Sequence, residues 1–194
     1  MTGILILAAG SSSRLGRPKQ NLIYQGRTLL QRTIETAVSM DTGPVLVITG
    51  ANEQVIRPTI EALPVTLLQN NNWQEGMASS IRIGIDKLQE LKPNIKAAIL
   101  LLCDQPFLDT RVLQTLINNQ AIRGIVACSY NETIGAPVLF DAFYFPELML
   151  LKGQEGAKKL LTKFPDAVKA ISFPPGGIDI DTPGDYEKLT NPNP

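Results

Sequence analysis

The sequence predicts an α/β protein, a single-domain three-layer sandwich in which a mostly parallel sheet lies between two layers of helices. Short apolar runs alternate along the chain with longer segments whose apolar residues repeat at helical spacing, which is the pattern of βα units. The runs are apolar at nearly every position, as in parallel strands buried on both faces. No low-complexity linker or block of charge divides the 194 residues. We therefore expect one domain over residues 1–190 and a frayed tail over residues 191–194.

The first half of the chain contains the clearest predicted elements. The run GILILAA at residues 3–9 is the first expected strand, and the run KAAILLLCD at residues 96–104 ends in a carboxylate. Apolar residues at helical spacing indicate the helices between the strands, and Asn52 is the expected N-cap of one of them. Further strands are expected over residues 44–50, 64–70 and 124–130, with helices over residues 27–39, after Asn52, from residue 77 and over residues 109–120.

The last third of the chain is less regular. Pro183 and Asp185 suit the first turn of a closing helix, because proline at the first helical position loses no hydrogen bond and a carboxylate there is favoured by the helix dipole. Strands are expected over residues 136–140, 167–173 and 177–181, with a helix over residues 155–164.

Composition excludes several classes of site and partner. Lys plus Arg and Asp plus Glu both number 18, so no overall charge favours nucleic acid or an anionic membrane, and any anion site must be local. The chain contains no histidine, which removes histidine-based triads and histidine metal ligands. Cys103 and Cys128 lie in apolar runs, as reduced thiols of a cytoplasmic protein do. Met1 leads directly into a strand without a secretory signal, and no apolar run approaches the roughly 20 residues that cross a bilayer.

The segment after the first strand combines small residues with cations. Residues 5–21 read LILAAGSSSRLGRPKQN. Small side chains leave successive N–H groups accessible, and Gly10 and Gly16 permit positive φ. Arg14 and Lys19 supply charge that suits phosphate, although the spacing is neither that of G-x-G-x-x-G nor that of a Walker A loop. Open α/β sheets bind ligands at the carboxyl ends of their strands, so we predict an oxyanion site here, with an ordinary surface loop as the alternative.

These motifs resemble those of a known family. LAAGSSSRLGRPKQ is similar to the signature L-A-A-G-x-S-x-R-x-G-x-x-K of nucleotidyltransferases with a Rossmann-like sheet. Five later segments resemble, in order, those of the molybdenum cofactor cytidylyltransferase group, and the similarity runs from about residue 4 to residue 189. The resemblance implies transfer of a nucleoside monophosphate from an NTP, with CTP preferred, to the molybdenum cofactor, with release of pyrophosphate. The five segments are NNNWQEGMASSIRIGI, LLLCDQPFL, GAPVLF, GQEGAKKLL and DIDTPGDY.

The resemblance also implies which residues bind the nucleotide. Gly76, Ser79 and Ser80 would lie against the base and ribose, although polar residues at a helix start need no ligand to explain them. Asn70 would lie near the base. For Trp73, packing is the expected role and stacking on a base is the alternative. The full set expected to bind nucleotide is Leu7, Ala8, Ala9, Gly10, Ser11, Ser12, Ser13, Arg14, Gly16, Lys19, Asn70, Gly76, Ser79 and Ser80.

Two aspartates are candidates for a metal site. Asp104 closes an apolar strand and faces the same crevice as the first loop, so it either caps a turn or holds Mg²⁺. The resemblance implies metal binding for Asp104, with Asp181 as the second ligand. The alternative role for Asp181 is to cap the helix at Pro183, and Asp179 shares its direction if residues 178–181 are extended. Mg²⁺ is the expected cofactor, and the residues expected to be catalytic are Arg14, Lys19 and Asp104.

Three positions depart from the pattern of the resembled family. Ala136 stands where histidine is usual, Gln154 where aspartate is common and Lys158 where arginine is common. All three lie in the second half, where we expect the acceptor to bind, so nucleotidyl transfer is better supported than the acceptor. We do not expect Cys103 to be a nucleophile, because no histidine is present to activate it.

Two other functions stay open. One is a guanylyltransferase for the same cofactor, or a transferase acting on a sugar or polyol phosphate. The other is a non-catalytic accessory protein that delivers cofactor to a molybdoenzyme, although binding alone would not need Arg14, Lys19 and Asp104 together. The expected partners are therefore an NTP, the molybdenum cofactor or another phosphate-bearing small molecule, and a client molybdoenzyme, with neither nucleic acid nor membrane.

Overall fold

The computed structural model describes residues 1–191, which form nine strands and seven α-helices. Short 3-10 turns lie between them. The strands are β1 (Thr2–Ala8), β2 (Ile23–Tyr24), β3 (Arg27–Thr28), β4 (Val45–Thr49), β5 (Thr66–Gln69), β6 (Ala97–Leu102), β7 (Ile125–Tyr130), β8 (Thr133–Asp141) and β9 (Val168–Ser172). The helices are α1 (Leu29–Val38), α2 (Glu53–Ile60), α3 (Met77–Leu91), α4 (Thr110–Asn118), α5 (Phe145–Met149), α6 (Ala157–Lys163) and α7 (Pro183–Thr190).

Seven strands form one sheet in the order β5-β4-β1-β6-β8-β7-β9. The pairs from β5 to β6 are parallel, β8 is antiparallel to both of its neighbours, and β9 is parallel to β7. The predicted mostly parallel sheet is therefore confirmed. Leu7 of β1 pairs with Leu102 of β6, so the loop after β1 and Asp104 after β6 leave the same edge side by side.

Helices cover both faces of this sheet, which gives the three layers that the sequence predicts. Successive strand residues point to opposite faces, so Ile4 packs with α1, α2 and α4 while Leu5 packs with α3, α5 and α6. A third apolar cluster joins the first loop to the carboxyl-terminal helix and so fixes one side of the site. Its members are Leu15, Leu22, Leu29, Ile180 and Leu189.

Two local expectations are corrected, and a third, the N-cap at Asn52, is confirmed in position only. The helix expected from residue 27 begins at Leu29, because Arg27 and Thr28 pair with residues 23–24 in a small hairpin. Asn52 occupies the N-cap position of α2 without a side-chain capping bond. Residues 177–181 form no strand: Ile180 is buried in the third cluster and its N–H donates a single bond to the Asp104 carbonyl.

The predicted limit between the domain and its tail falls at the C-terminal end of α7. Asn191 is the C-cap residue of α7, and the rest of the predicted tail, residues 192–194, lies outside the described residues. Within residues 1–191, every helix is too short or too polar to span a bilayer.

Candidate active site

The side chain of Gln20 is fully buried and supports the loop after β1 from inside the protein. Its Nε2 atom donates hydrogen bonds to the carbonyl oxygens of Ala8 (2.8 Å) and Gly10 (3.2 Å). The side-chain amide of Asn52 donates to the carbonyls of Gly10 and Ser11, at 3.3 and 3.4 Å. In a trans peptide the N–H points away from the carbonyl of the same unit. The N–H groups of Ala9 and Ser11, which share peptide units with these two carbonyls, therefore face away from Gln20.

The N–H groups on the open side of this loop are available to a ligand. Among residues 1–191, the N–H groups of Gly10, Ser11, Ser12 and Ser13 donate to no protein acceptor. Successive free N–H groups form a concavity that suits an oxyanion. A cavity of about 140 Å³ lies against them, lined by Gly10, Ser12, Ser13, Arg14, Lys19 and Asp181.

The backbone of this loop turns at Ser12 and Gly16. Gly16 uses the positive φ that glycine permits, with a value of 73°, whereas Gly10 lies outside the left-handed region. Ser12 adopts a φ of 55° instead. Its Oγ accepts a bond from the Lys19 N–H (3.1 Å) and donates to Gln20 Oε1 (3.4 Å). These two contacts hold a serine where glycine is the usual residue.

Two cations of the loop meet two carboxylates from distant parts of the chain. The Lys19 ammonium contacts Asp104 Oδ2 directly and lies 3.1 Å from Asp181 Oδ1. Arg14 donates to the other oxygen of Asp181 at 2.7 Å. The side chains of Lys19 and Asp104 are only 17% and 11% exposed, so solvent screens this pair weakly. The structure therefore brings the three residues predicted to be catalytic, and both predicted metal ligands, into one cluster.

The capping roles weighed for these carboxylates belong to other residues. Asp109, rather than Asp104, caps α4 and accepts from the Val112 N–H. Thr182, rather than Asp181, caps α7 in a capping box with Asp185. Asp104 and Asp181 are therefore free of structural capping and direct their charge at the cations of the loop.

These carboxylates fit a divalent metal such as Mg²⁺. Asp104 is buried, and its Oδ1 atom has no hydrogen-bond partner among residues 1–191, although a buried carboxylate oxygen ordinarily has one. Carboxylate oxygens are ligands that Mg²⁺ prefers. Among residues 1–191, no group of three or more acidic, cysteine or histidine residues is arranged to hold a metal. A metal on Asp104 and Asp181 would therefore need further ligands from substrate or water.

A larger cavity of about 290 Å³ adjoins the loop on the α3 side of the sheet. Lys19 borders both this cavity and the smaller one, so the two form one continuous site. Of the residues predicted to bind nucleotide, Gly16, Asn70 and Ser79 line neither cavity. Those that line the larger cavity, together with Asp104, are Leu7, Ala8, Ala9, Gly10, Ser11, Lys19, Gly76 and Ser80.

Asn70 supports the larger cavity from inside the protein. It is 2% exposed, and its Nδ2 atom donates to the Oγ atoms of Ser79 (2.8 Å) and Ser80 (2.9 Å). The hydroxyl of Ser79 bonds in turn to the carbonyls of Gly76 and Asn72. Of these polar side chains, that of Ser80 borders the cavity, and its hydroxyl hydrogen has no acceptor among the described residues. Asn70 thus orients Ser80.

The outer wall of the larger cavity contains two residues that sequence reasoning placed elsewhere or left open. Trp73 packs on the apolar cluster under α3 and also borders the cavity. Gln154, expected on the acceptor side, lies here because the Gly153 carbonyl accepts a bond from the Ala78 N–H at the start of α3. Gly76 has a φ of 121°, and a Cβ there would stand 2.4 Å from the Gly153 oxygen, so only glycine permits this approach.

The titrating groups of the site favour a protonated lysine and a protonated thiol. Burial lowers the pKa of Lys19, but the negative charge of Asp104 and the hydrogen bonds to Asp104 and Asp181 outweigh it and raise that pKa above its ordinary value. Burial, followed by the charge of Asp104, raises the pKa of Cys103 to about 12. Cys103 therefore remains a neutral thiol, which agrees with its exclusion as a nucleophile.

Comparison with known proteins decides the family. The MobA-like NTP transferase domain matches residues 4–168 of the chain. The protein belongs to this family. Among its relatives, a nicotine blue oxidoreductase from Paenarthrobacter nicotinovorans is 32% identical, over 94% of this chain and 92% of the relative. The purine catabolism protein PucB of Bacillus subtilis is 28% identical, over 95% of this chain and 94% of the relative.

Solved structures share this fold. Rv0371c from Mycobacterium tuberculosis superimposes with a TM-score of 0.86 and 27% identity, covering 98% of this chain and 97% of that one. The same protein in complex with manganese gives a TM-score of 0.82 at 25% identity, covering 98% of both chains. The chain is thus a MobA-like member of the nucleotidyltransferases with their Rossmann-like α/β fold.

Proposed function

We propose that this MobA-like protein transfers a nucleoside monophosphate from an NTP, preferably CTP, to a phosphate-bearing acceptor, the molybdenum cofactor. One observation carries the proposal: Arg14 and Lys19 meet Asp104 and Asp181 beside a row of free N–H groups. Free N–H groups and cations suit phosphate oxygens, and carboxylates suit a divalent metal. A metal-bound triphosphate requires both kinds of group at one place.

In the proposed reaction an acceptor oxygen attacks the α-phosphorus of the NTP. A new bond forms between the acceptor oxygen and the α-phosphorus. The bond from the α-phosphorus to the oxygen that bridges it to the β-phosphorus breaks, and pyrophosphate leaves with that electron pair. The loop N–H groups, Arg14 and Lys19 bind the triphosphate and neutralise the charge that grows on the leaving group. A phosphate dianion carries no proton at the attacking oxygen, so such an acceptor requires no general base.

Asp104 and Asp181 are the residues that would hold Mg²⁺. When bound, the ion would neutralise phosphate charge and help to align the reacting oxygens. The unpartnered Oδ1 atom of Asp104 supports this assignment. So does the manganese complex of Rv0371c, a relative with the same fold. The chain's own contribution is to fix two carboxylates next to the cations that bind the triphosphate.

The larger cavity is the proposed site of the base and ribose. Because Asn70 already donates to Ser80 Oγ, the Ser80 hydroxyl is left to donate its own hydrogen into the cavity. A donor at that point suits a base carbonyl, such as that of cytosine. Trp73 offers an indole face, and Gln154 offers an amide that can both donate and accept.

The test is turnover with CTP, GTP and ATP in turn, each with Mg²⁺ and the molybdenum cofactor, followed by pyrophosphate release and the mass of the product. We expect CTP to give the cofactor plus one CMP. Activity with GTP alone would identify a guanylyltransferase. Activity with only a sugar or polyol phosphate as acceptor would contradict the cofactor assignment.

A pair of variants separates catalysis from delivery of the cofactor. We expect Asp104→Asn to abolish turnover, whereas Asp109→Asn, which removes a carboxylate that caps α4, should keep it. An accessory protein would instead show no turnover in the wild type and unchanged NTP affinity in Asp104→Asn.

Redox activity is the second candidate, because the relative that is 32% identical is named an oxidoreductase. The matching assay is oxidation of NADH or NADPH with a two-electron dye acceptor. Dye reduction that survives Lys19→Ala, together with no pyrophosphate release in the wild type, would favour this candidate over nucleotidyl transfer.

A further inference from the structure

We propose that Lys19 is a resident counter-cation for Asp104 and Asp181, which an incoming triphosphate draws away, so that nucleotide and divalent metal bind with positive coupling. The inference rests on the proposed NTP site and concerns the order in which that site fills. It also states what the cluster does before a substrate arrives.

The position of the Lys19 ammonium supports this role. It contacts Asp104 Oδ2 and lies 3.1 Å from Asp181 Oδ1, and so bridges two carboxylates that have no other bridging cation among the described residues. Its side chain is only 17% exposed. A divalent ion held by the same two carboxylates would have to share this space with the ammonium. With Lys19 and Arg14 in place, the two carboxylates are paired with two cations and their attraction for a metal is reduced.

The protein also offers too few ligands for a metal ion alone to displace Lys19. Within residues 1–191, the cluster offers two carboxylates and no third acidic, cysteine or histidine ligand. Of the four oxygens on these two carboxylates, Asp104 Oδ1 alone has no partner among the described residues, while both oxygens of Asp181 are engaged, by Lys19 and by Arg14 at 2.7 Å. A metal that arrives without phosphate oxygens therefore meets one free oxygen.

A triphosphate would change both the position of Lys19 and the number of ligands available to a metal. Lys19 borders the cavity against the loop as well as the larger cavity, so its flexible side chain has a path from the carboxylates to phosphate oxygens. When the ammonium moves to phosphate, Asp104 loses its counter-charge and Asp181 keeps only Arg14, and phosphate oxygens complete the set of metal ligands. Because coupling is reciprocal, metal must then strengthen nucleotide binding by the same factor.

Removal of the amine tests the exchange directly. The expected result is that Lys19→Met binds Mn²⁺ at least about tenfold more tightly than the wild type in the absence of nucleotide, as measured from the paramagnetic resonance signal of free Mn²⁺. Mn²⁺ should also raise the Tm of this variant more than that of the wild type, because Asp104 is left without a counter-ion and Asp181 keeps only Arg14. Lys19→Gln serves as a second variant if Lys19→Met does not fold.

The matched control is Lys163→Met, which removes the same charge from a surface pair with Glu147. Its Mn²⁺ affinity should equal that of the wild type. If both Lys19 variants bind Mn²⁺ no more tightly than the wild type, the exchange is wrong, even where the wild type binds the nucleotide.

Nucleotide binding is followed separately with the α,β-methylene analogue of CTP, through the fluorescence of Trp73. Wild-type protein should bind this analogue more tightly with Mn²⁺ than with EDTA. If the wild type does not bind the analogue at all, both the proposed function and the exchange of Lys19 are wrong. If the wild type binds the analogue but the Lys19 variants gain no Mn²⁺ affinity, only the exchange is wrong.

Discussion

The guanidinium of Arg14 lies 2.7 Å from the carboxylate of Asp181, although 167 positions separate the two residues in the chain. The other oxygen of Asp181 faces Lys19 at 3.1 Å. A single carboxylate therefore fixes the directions of both cations that the proposed function assigns to the triphosphate.

Asp181→Asn should lower kcat/KM for pyrophosphate release at least tenfold, because the amide neither orients both cations nor holds a metal. Its Tm should change little, since the Asp181 side chain is 33% exposed and ion pairs of this exposure contribute little to stability. Glu187→Gln, on the exposed surface of α7, should leave kcat/KM unchanged. Equal rates for the wild type and Asp181→Asn would contradict this assignment.

Lys19→Ala should lower kcat/KM about 10²-fold or more, comparable to the removal of one preorganised donor from an oxyanion site. The measurement is steady-state pyrophosphate release at saturating metal. Lys163→Ala removes a surface cation away from the site and should retain the wild-type rate. An unchanged rate in Lys19→Ala would rule out the phosphate role of the first loop.

Gln20→Met should weaken both the fold and the binding of nucleotide. The thioether cannot donate, so the Ala8 carbonyl loses its side-chain donor and Gly10 keeps only the bond from Asn52. We expect a loss of about 1–3 kcal/mol in the free energy of unfolding. The affinity for the CTP analogue should fall about tenfold, which corresponds to about 1.4 kcal/mol of binding free energy, because the loop N–H groups are no longer held in the direction of the ligand.

Urea denaturation and Trp73 fluorescence measure the two effects of Gln20→Met. Gln114→Met, on the exposed side of α4, is the matched control and should alter neither. Lower stability with unchanged affinity would show that Gln20 supports the fold without orienting the loop.

Asp179 should make the metal-free protein less stable as the pH rises. Burial, followed by the charges of Asp104 and Asp181, raises the pKa of Asp179 from 3.8 to about 6. The folded state then holds the proton more tightly than the unfolded state, so the free energy of unfolding falls between about pH 4 and pH 6. The carboxyl of Asp179 is partly desolvated, but much of the residue surface is open to solvent, and solvent screening limits the effect to about 1 kcal/mol or less.

Asp179→Asn should therefore be more stable than the wild type at pH 7.5 and equally stable below pH 4. Chemical denaturation in EDTA at the two pH values measures the difference. A wild type that is the more stable protein at pH 7.5 would contradict the expected sign.

The parts of the site that were predictable are those encoded by short stretches of sequence. A buried strand that runs into small residues and cations marks the first loop, and an apolar strand that ends in a carboxylate marks Asp104. The topology of parallel strands then places the two at one edge of the sheet. The roles of these residues in a reaction remain proposals.

The parts that were missed depend on contacts between distant segments. Gln20 acts on backbone carbonyls, which leave no pattern in the side chains. Gln154 reaches the larger cavity because Gly153 contacts the start of α3, and no sequence pattern near residue 154 predicts this contact. The strand expected over residues 177–181 does not form. The alternating pattern of this segment arises because one residue, Ile180, is buried in the third cluster, and the segment makes no strand pairing.

The link between the first loop and the segment around α7 has a consequence for synthesis of the protein. Besides the Arg14–Asp181 pair, the guanidinium of Arg17 lies 5.1 Å from the ring centre of Tyr186, whose hydroxyl donates to the Ile23 carbonyl at 2.8 Å. During synthesis the first loop leaves the ribosome well before Asp181 and Tyr186, which supply its counter-charge and a further contact. The site is thus completed only after these residues emerge, and a chain interrupted before residue 181 would carry two cations of the loop without the carboxylate that orients them.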